Sequence, residues 1–260
     1  MTPHTIPLFG LPIENVTLDA ATDELLASAL AGQRRIIYFV NAHCVNIAVH
    51  HAEYLRILPT ADRLYADGSG LALAARLAGT PLISNVNGTD MFPVLCERAA
   101  RTGLPIALLG TRPEIIKQCA ENMQRRFPGL NIAFLRDGFF KPEEEPEVIR
   151  QINTSGARVL LVALGVPGQE LWIARCAAKL ETPVIMGVGG LFDFYSGLRK
   201  RAPWLLRKTG LEWTFRLAQE PRRLFKRYIF GNSIFIARTL RLRLGGREKI
   251  RHEMGASARK

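Results

Sequence analysis

Residues 159–190 read VLLVALGVPGQELWIARCAAKLETPVIMGVGG. Val159–Gly165 is apolar at nearly every position and Pro183–Val188 repeats the pattern, as expected of strands covered on both faces. Gln169–Leu180 between them has helical period. Strand, glycine-bearing loop, helix and strand in succession is the pattern of an α/β fold on a largely parallel sheet. Toward the N-terminus the same alternation predicts strands at Arg35–Asn41, Arg63–Ala66, Pro105–Gly110 and Asn131–Arg136. Helices are expected at Cys44–Leu58, Ser69–Leu77, Asp90–Thr102, Pro113–Phe127 and Pro142–Asn153. The fold class is therefore α/β, a Rossmann-like, largely parallel sheet flanked by helices.

After about Leu198 the strands stop and the chain turns basic and aromatic. Glu220-Pro221 marks a helix break and restart. Leu224, Phe225, Tyr228 and Ile229 then recur at helical spacing, with Arg222, Arg223, Lys226 and Arg227 between them, and Ile234–Leu244 repeats the mixture. Residues 199–260 carry 18 Lys/Arg against 4 Asp/Glu, whereas residues 1–198 carry 17 against 19, so the formal charge of +12 belongs to the last quarter. The chain divides into an α/β core over 1–198 and a helical basic appendage over 199–260 that meets an anionic partner.

At 260 residues and 48% apolar, the chain is long enough for a large core. Cys44, Cys96, Cys119 and Cys176 form no Cys-x-x-Cys pair and have no metal-ligand spacing, so they read as reduced core residues of a cytoplasmic protein. No signal peptide is visible, and no apolar run reaches the ~18 residues of a membrane span.

Ligands of open parallel sheets bind outside the carboxyl ends of the strands, which directs attention to the loops there. Asp67 follows a strand and precedes Gly68-Ser69-Gly70; it is either a base for a sugar hydroxyl or the cap of the next helix. Asn41 can hydrogen-bond a hydroxyl, and His43 is either a base or structural. Gly187-Val188-Gly189-Gly190 suits a nucleotide phosphate but lacks the full dinucleotide spacing, and Arg207 and Lys208 stand where an acid would meet the ribose. There is no Asp-x-Asp pair, so no metal is expected, and arginines are the obvious charge for a phosphate.

Taken in order, several segments resemble the WecG/TagA/CpsF family of glycosyltransferases (glycosyltransferase family 26). They are Phe39-Val-Asn-Ala-His43, Ala66-Asp-Gly-Ser-Gly70, Asn87-Gly-Thr-Asp90, Leu109-Gly110, Gly165-Val-Pro-Gly-Gln-Glu170, Gly187-Val-Gly-Gly-Leu-Phe-Asp193, Arg201-Ala-Pro203, and Gly210-Leu-Glu-Trp213 with Arg216 and Glu220-Pro-Arg-Arg223. The resemblance implies an inverting, metal-independent enzyme without a cofactor. It would move a sugar from a UDP-sugar donor to an undecaprenyl-diphosphate-linked saccharide in surface polysaccharide synthesis. By motif position it makes Asp67 the general base and places Gln169 and Asn41 with it. It assigns substrate binding to His43, Asn87, Thr89, Asp90, Gly110, Gly165, Gly187, Gly189, Gly190 and Asp193. Arg216, Arg223 and Arg227 of the appendage would close over the pocket and hold the diphosphate.

Two departures bear on the donor. Phe39 stands where members acting on N-acetylmannosamine-type donors often have Thr, and Asn85 where they have Arg. The pattern is closer to the exopolysaccharide, xanthan-type branch, which makes UDP-glucose a donor candidate. The enzyme would sit peripherally at the cytoplasmic face of the inner membrane, its tail on anionic lipid; whether it forms a homo-oligomer is left open. A pI near 10.1 also suits a nucleic-acid-binding protein, although no nucleic-acid motif appears. A Rossmann-type oxidoreductase is the other alternative, weakened by the broken glycine pattern.

Overall fold

The structure, a computed structural model, describes residues 4–243; residues 1–3 and 244–260, and with them the end of the basic segment, lie outside the described residues. Among the described residues eight strands form one sheet: β1 (Thr5–Leu8), β2 (Leu11–Glu14), β3 (Arg35–Val40), β4 (Arg63–Ala66), β5 (Ile106–Gly110), β6 (Ile132–Arg136), β7 (Val159–Ala163) and β8 (Val184–Gly187). Their order is β1-β2-β4-β3-β8-β7-β5-β6. Only β1 and β2 pair antiparallel; every other pairing is parallel. The α/β class with a largely parallel sheet is thus observed, and all six expected strands are present.

The β1–β2 hairpin was not expected. Its two-residue turn, Phe9-Gly10, has positive φ at both positions (53° and 75°), the conformation that suits the twist of a tight hairpin. Phenylalanine is an unusual residue there, and Pro7 faces Pro12 across the pair, which disguises both strands.

Helices cover both faces. In the first half lie α1 (Leu18–Ala31), α2 (Ala42–Ala48), α3 (Ala52–Ile57), α4 (Ser69–Leu77) and α5 (Gly88–Thr102); α6 (Pro113–Arg126), α7 (Glu145–Thr154), α8 (Gly168–Cys176) and α9 (Leu191–Tyr195) follow. The expected helix Cys44–Leu58 is two helices, because the His51 side chain caps the second: its Nδ1 accepts from the Tyr54 N–H at 3.1 Å. Alternate strand residues enter opposite cores. Tyr38, Val40 and Ile185 join α2, α4 and α8 on one face; Ile37, Phe39 and Met186 join α5, α6 and α9 on the other. All four cysteines are buried and unpaired.

The C-terminal segment is helical, as α10 (Trp204–Lys208), α11 (Glu212–Gln219), α12 (Pro221–Phe225), a π-helical turn (Lys226–Phe230) and α13 (Gly231–Arg243). It lies against the core. Phe235 is 2% exposed, stacks against Phe9 with ring centroids 5.1 Å apart, and sits over Gly70. Asn46 Nδ2 donates to the Gly231 carbonyl at 2.8 Å, and Ser69 Oγ to the Gly210 carbonyl at 2.9 Å. Arg201 pairs with Asp90 at 2.5 Å. Among the described residues no helix is long and apolar enough to cross a membrane.

Removing the Phe235 ring empties the joint between the last helix and the core. Phe235→Ala is expected to lower stability by about 3–5 kcal/mol in urea denaturation and to expose the arginines around α13 to trypsin. An unchanged midpoint and digestion pattern would mean that the helix docks without that ring.

Candidate functional site

β3 and β8 are neighbours in the sheet, yet the helices after them leave on opposite faces: α2 packs with Val40, α9 with Phe39. This is a topological switch point, where a crevice opens at the carboxyl end of the sheet. A cavity of about 840 Å³ occupies it. Its lining comes from the loops after β3, β4, β5, β6, β7 and β8, and from α11 to the π-helical turn of the C-terminal segment.

Asp67 lies at this cavity, half-buried, directly after β4. Its backbone N–H donates to the Val40 carbonyl at 2.7 Å, which ties the end of β4 to β3. The following helix α4 has Gly68 at its N-cap and no side-chain cap, so the Asp67 carboxylate does not serve as one. Asn85 Oδ1 instead accepts from the Gly68 N–H at 2.8 Å. Asn41 Nδ2 donates to Asp67 Oδ2 at 3.4 Å, while Asn41 Oδ1 accepts from the N–H groups of His43 and Cys44 and caps α2. His43 lines the cavity with its pKa lowered to about 4, first by burial and then by the charge of Arg227, so the imidazole is neutral at pH 7.

Gln169 is buried at the start of α8. Its Oε1 accepts from the Gly189 N–H at 2.9 Å and its Nε2 donates to Glu170 Oε1 at 2.8 Å. A backbone N–H can only donate, so the orientation of the amide is determined. Gln169 thereby fastens the turn after β8 to the helix after β7, and Gly187 makes room for it: a Cβ there would lie 3.0 Å from Nε2. Glu170 is fully buried, its Oε2 has no hydrogen-bond partner, and burial raises its pKa to about 7. Tyr38, Cys44 and Tyr54 are its titratable neighbours, all pushed up chiefly by burial.

The opposite wall is cationic. Arg199 bridges Asp193 Oδ2 at 2.7 Å and Glu220 Oε1 at 3.0 Å, and Glu220 also pairs with Arg223 at 2.6 Å. Thr111 Oγ1 donates to Asp193 Oδ1 at 3.3 Å. Arg216 lies over the Phe194 ring, 4.5 Å from its centroid. Arg227 differs in having no ion pair among the described residues; its guanidinium lies 5.7 Å from the Tyr228 ring centroid, and its buried Nε, like that of Arg216, has no hydrogen-bond partner.

Of the residues expected from sequence, Asn41, His43, Asp67, Thr89, Gly165, Gln169, Gly187, Gly189, Gly190, Asp193, Arg216, Arg223 and Arg227 all line this one cavity. Three do not. Asn87 caps α5, its Oδ1 accepting from the Asp90 N–H at 2.8 Å, and its Nδ2 donates to the Asp90 carboxylate at 2.7 Å. That carboxylate is turned to Arg201; burial would raise its pKa, but the hydrogen bonds from Arg201 and Asn87 hold it below the ordinary value. Gly110 is a packing residue, since a Cβ there would fall 2.4 Å from the Ala163 carbonyl oxygen. Sequence reading missed Arg199 and the aromatic residues Phe139, Phe140 and Trp172 of the cavity lining, and it gave no role to Glu170, which is fully buried next to Gln169. Phe139 is 75% exposed, a strong signal in the structure and none in the sequence. Among the described residues no group of three or more His, Cys, Asp or Glu is placed to hold a metal ion.

The raised pKa of Glu170 has a measurable consequence. Between pH 4.5 and about 7 the native chain holds a proton that the unfolded chain has released, so this group's contribution to stability falls as pH rises through that window. Glu170→Gln cannot ionise and is expected to gain on the order of 3 kcal/mol relative to wild type between pH 4.5 and 8, read from urea midpoints. A pH-independent difference would mean that Glu170 titrates normally.

The sequence model described as the Glycosyl transferase WecG/TagA/CpsF family matches residues 6–249, which takes in the sheet, the crevice loops and the C-terminal helices. The chain belongs to this family of glycosyltransferases, which act on polysaccharide precursors.

Proposed function

We propose that the enzyme transfers a sugar from a UDP-sugar, with UDP-glucose and UDP-N-acetylmannosamine-type donors as candidates, to an undecaprenyl-diphosphate-linked saccharide by single displacement. The supporting observation is that the Asp67 carboxylate, unengaged by helix capping, shares a cavity with Arg216, Arg223 and Arg227. An acceptor hydroxyl attacks the anomeric carbon, the bond to UDP breaks on the opposite face, and Asp67 takes the hydroxyl proton. The configuration inverts.

Asn41 and Gln169 act by position in this scheme. Asn41 directs Asp67 Oδ2, and Gln169 holds the Gly187–Gly190 turn, because both amides are already spent on protein partners. The departing diphosphate needs positive charge, and among the described residues Arg227 has no ion pair and an unbonded Nε. Phe139, Phe140 and Trp172 provide flat apolar surface for the nucleoside. Phe39, in the cavity wall, removes a polar contact, which favours the xanthan-type, exopolysaccharide branch of the family.

Residues 199–260 form the membrane-docking and closing part of this enzyme. Trp204 and Leu205 are 62% and 63% exposed, and Phe225, Ile229, Phe230 and Leu240 add apolar surface among arginines. Such a surface lies peripherally on the cytoplasmic leaflet, each basic residue near anionic lipid contributing ~1 kcal/mol.

Asp67→Asn is expected to reduce transfer by about 10²-fold or more while UDP still raises the melting temperature; near-normal turnover would remove Asp67 from the reaction. The protein is also expected to float with phosphatidylglycerol vesicles and to release them at high salt. Binding to duplex DNA without binding to vesicles would favour the nucleic-acid reading instead.

A further inference from the structure

Glu170 is an acid in a place where acids are costly. It is fully buried on α8, its Oε2 has no hydrogen-bond partner, and no cation stands against it among the described residues. Its titratable neighbours, Tyr38 of β3, Cys44 of α2 and Tyr54 of α3, are neutral and bring no compensating charge. An apolar side chain of similar size would be easier to bury at this position. What the carboxyl supplies and an apolar group does not is one acceptor, Oε1, which takes the N–H of Gln169 Nε2 at 2.8 Å. Glu170 itself lines no part of the reaction cavity, whereas Gln169 does.

We propose that Glu170 is a positioning residue for transfer: acting through Gln169, it holds the Gly187–Gly190 turn in the shape that the reaction cavity requires. The assignment rests on the transferase reading above and deepens it. The relay has two bonds. Glu170 Oε1 accepts from Gln169 Nε2, which fixes the sense of that amide, and Gln169 Oε1 is left to accept from the Gly189 N–H at 2.9 Å. Turned by 180°, the amide would set Nε2 against the Gly189 N–H, donor against donor. Val188 N–H reaches the Val162 carbonyl at 2.8 Å, so bonding to the neighbouring strand stops one residue before the tip, where Gly189 has a φ of 58°. The tip therefore depends on the Gln169 amide. Gly187, Val188, Gly189 and Gly190 all line the cavity, so a turn that loosens changes the surface that the donor meets.

The test uses the full-length protein with three substitutions. Glu170→Met nearly keeps the volume and removes the acceptor, Glu170→Gln keeps an acceptor oxygen without the charge, and Gln169→Leu breaks the relay one bond further on. Hydrogen exchange over residues 187–190 is read by mass spectrometry, and affinity for UDP by calorimetry. Glu170→Met is expected to speed exchange in the turn by about tenfold and to weaken UDP by about tenfold, with exchange elsewhere in the chain unchanged. Glu170→Gln should leave both readouts close to wild type. In the Gln169→Leu background Glu170→Met should add nothing, because two residues that act through one bond are not additive.

Unchanged exchange in the turn of the Glu170→Met protein would overturn the assignment. So would exchange that rises throughout the chain, which would give Glu170 a part in stability alone, or a Glu170→Gln protein as impaired as Glu170→Met. A further loss from Glu170→Met in the Gln169→Leu background would show that Glu170 acts by another route. Transfer from UDP-sugars to a lipid-linked acceptor is measured beside binding. A loosened turn with UDP affinity and transfer both unchanged sinks the positioning role alone. A loosened turn with weakened UDP, in a protein whose wild type transfers from no UDP-sugar, sinks the transferase reading alone.

Discussion

Two parallel strands that end side by side while their following helices diverge leave a space that no backbone element fills. β3 and β8 impose that condition at the centre of the sheet, and the rest of the molecule is arranged around it. The loops after the strands supply the floor. They are brought to one place by main-chain and amide hydrogen bonds, among them Asp67 N–H to Val40 and Gly189 N–H to Gln169. Each of these bonds joins the exits of two strands, so the geometry of the crevice is inherited from the register of the sheet and is as rigid as its core.

The C-terminal helices close the open side, and charge determines how. Arg199 is held between one carboxylate of the core and one of the segment, Asp193 and Glu220, and Glu220 in turn holds Arg223. Partly buried ions tolerate this only when each is matched. Among the described residues Arg227 has no ion pair, and its charge helps to keep His43 neutral. Its guanidinium lies 5.7 Å from the Tyr228 ring centroid, and it brings net positive charge to the cavity that also holds Asp67.

Much of the fold is legible in the sequence because β5, β7 and β8 are short, apolar and buried throughout, and β3, β4 and β6 keep short apolar runs beside a terminal arginine. The N-terminal hairpin is illegible for local reasons: prolines in both strands and Phe9 in a turn that usually takes asparagine or glycine. The break between α2 and α3 is hidden because a capping histidine looks like any other polar residue of a helix. The site was legible where one loop supplies the residue, as with Asp67, Asn41 and Gln169. It was not where the role depends on distant partners. Glu170 reads as a surface acid beside Gln169 until the packing of α8 buries it, and Arg199 is one arginine among many until Asp193 and Glu220 converge on it. Asn87 and Asp90 share a motif with Thr89, yet only Thr89 reaches the cavity, the others being used to start α5 and anchor Arg201.

The contact between Phe9 and Phe235 joins the hairpin that opens the sheet to α13, which follows the last strand. During synthesis the hairpin that carries Phe9 leaves the ribosome before the other six strands, and its partner ring is still to be translated after every strand of the sheet is complete. The wall that holds Arg216, Arg223 and Arg227 lies between β8 and that ring in sequence, so it too is made after the sheet. A nascent chain that has emerged as far as β8 is therefore a sheet with an open crevice, and the cavity is walled in only when the helices after it follow.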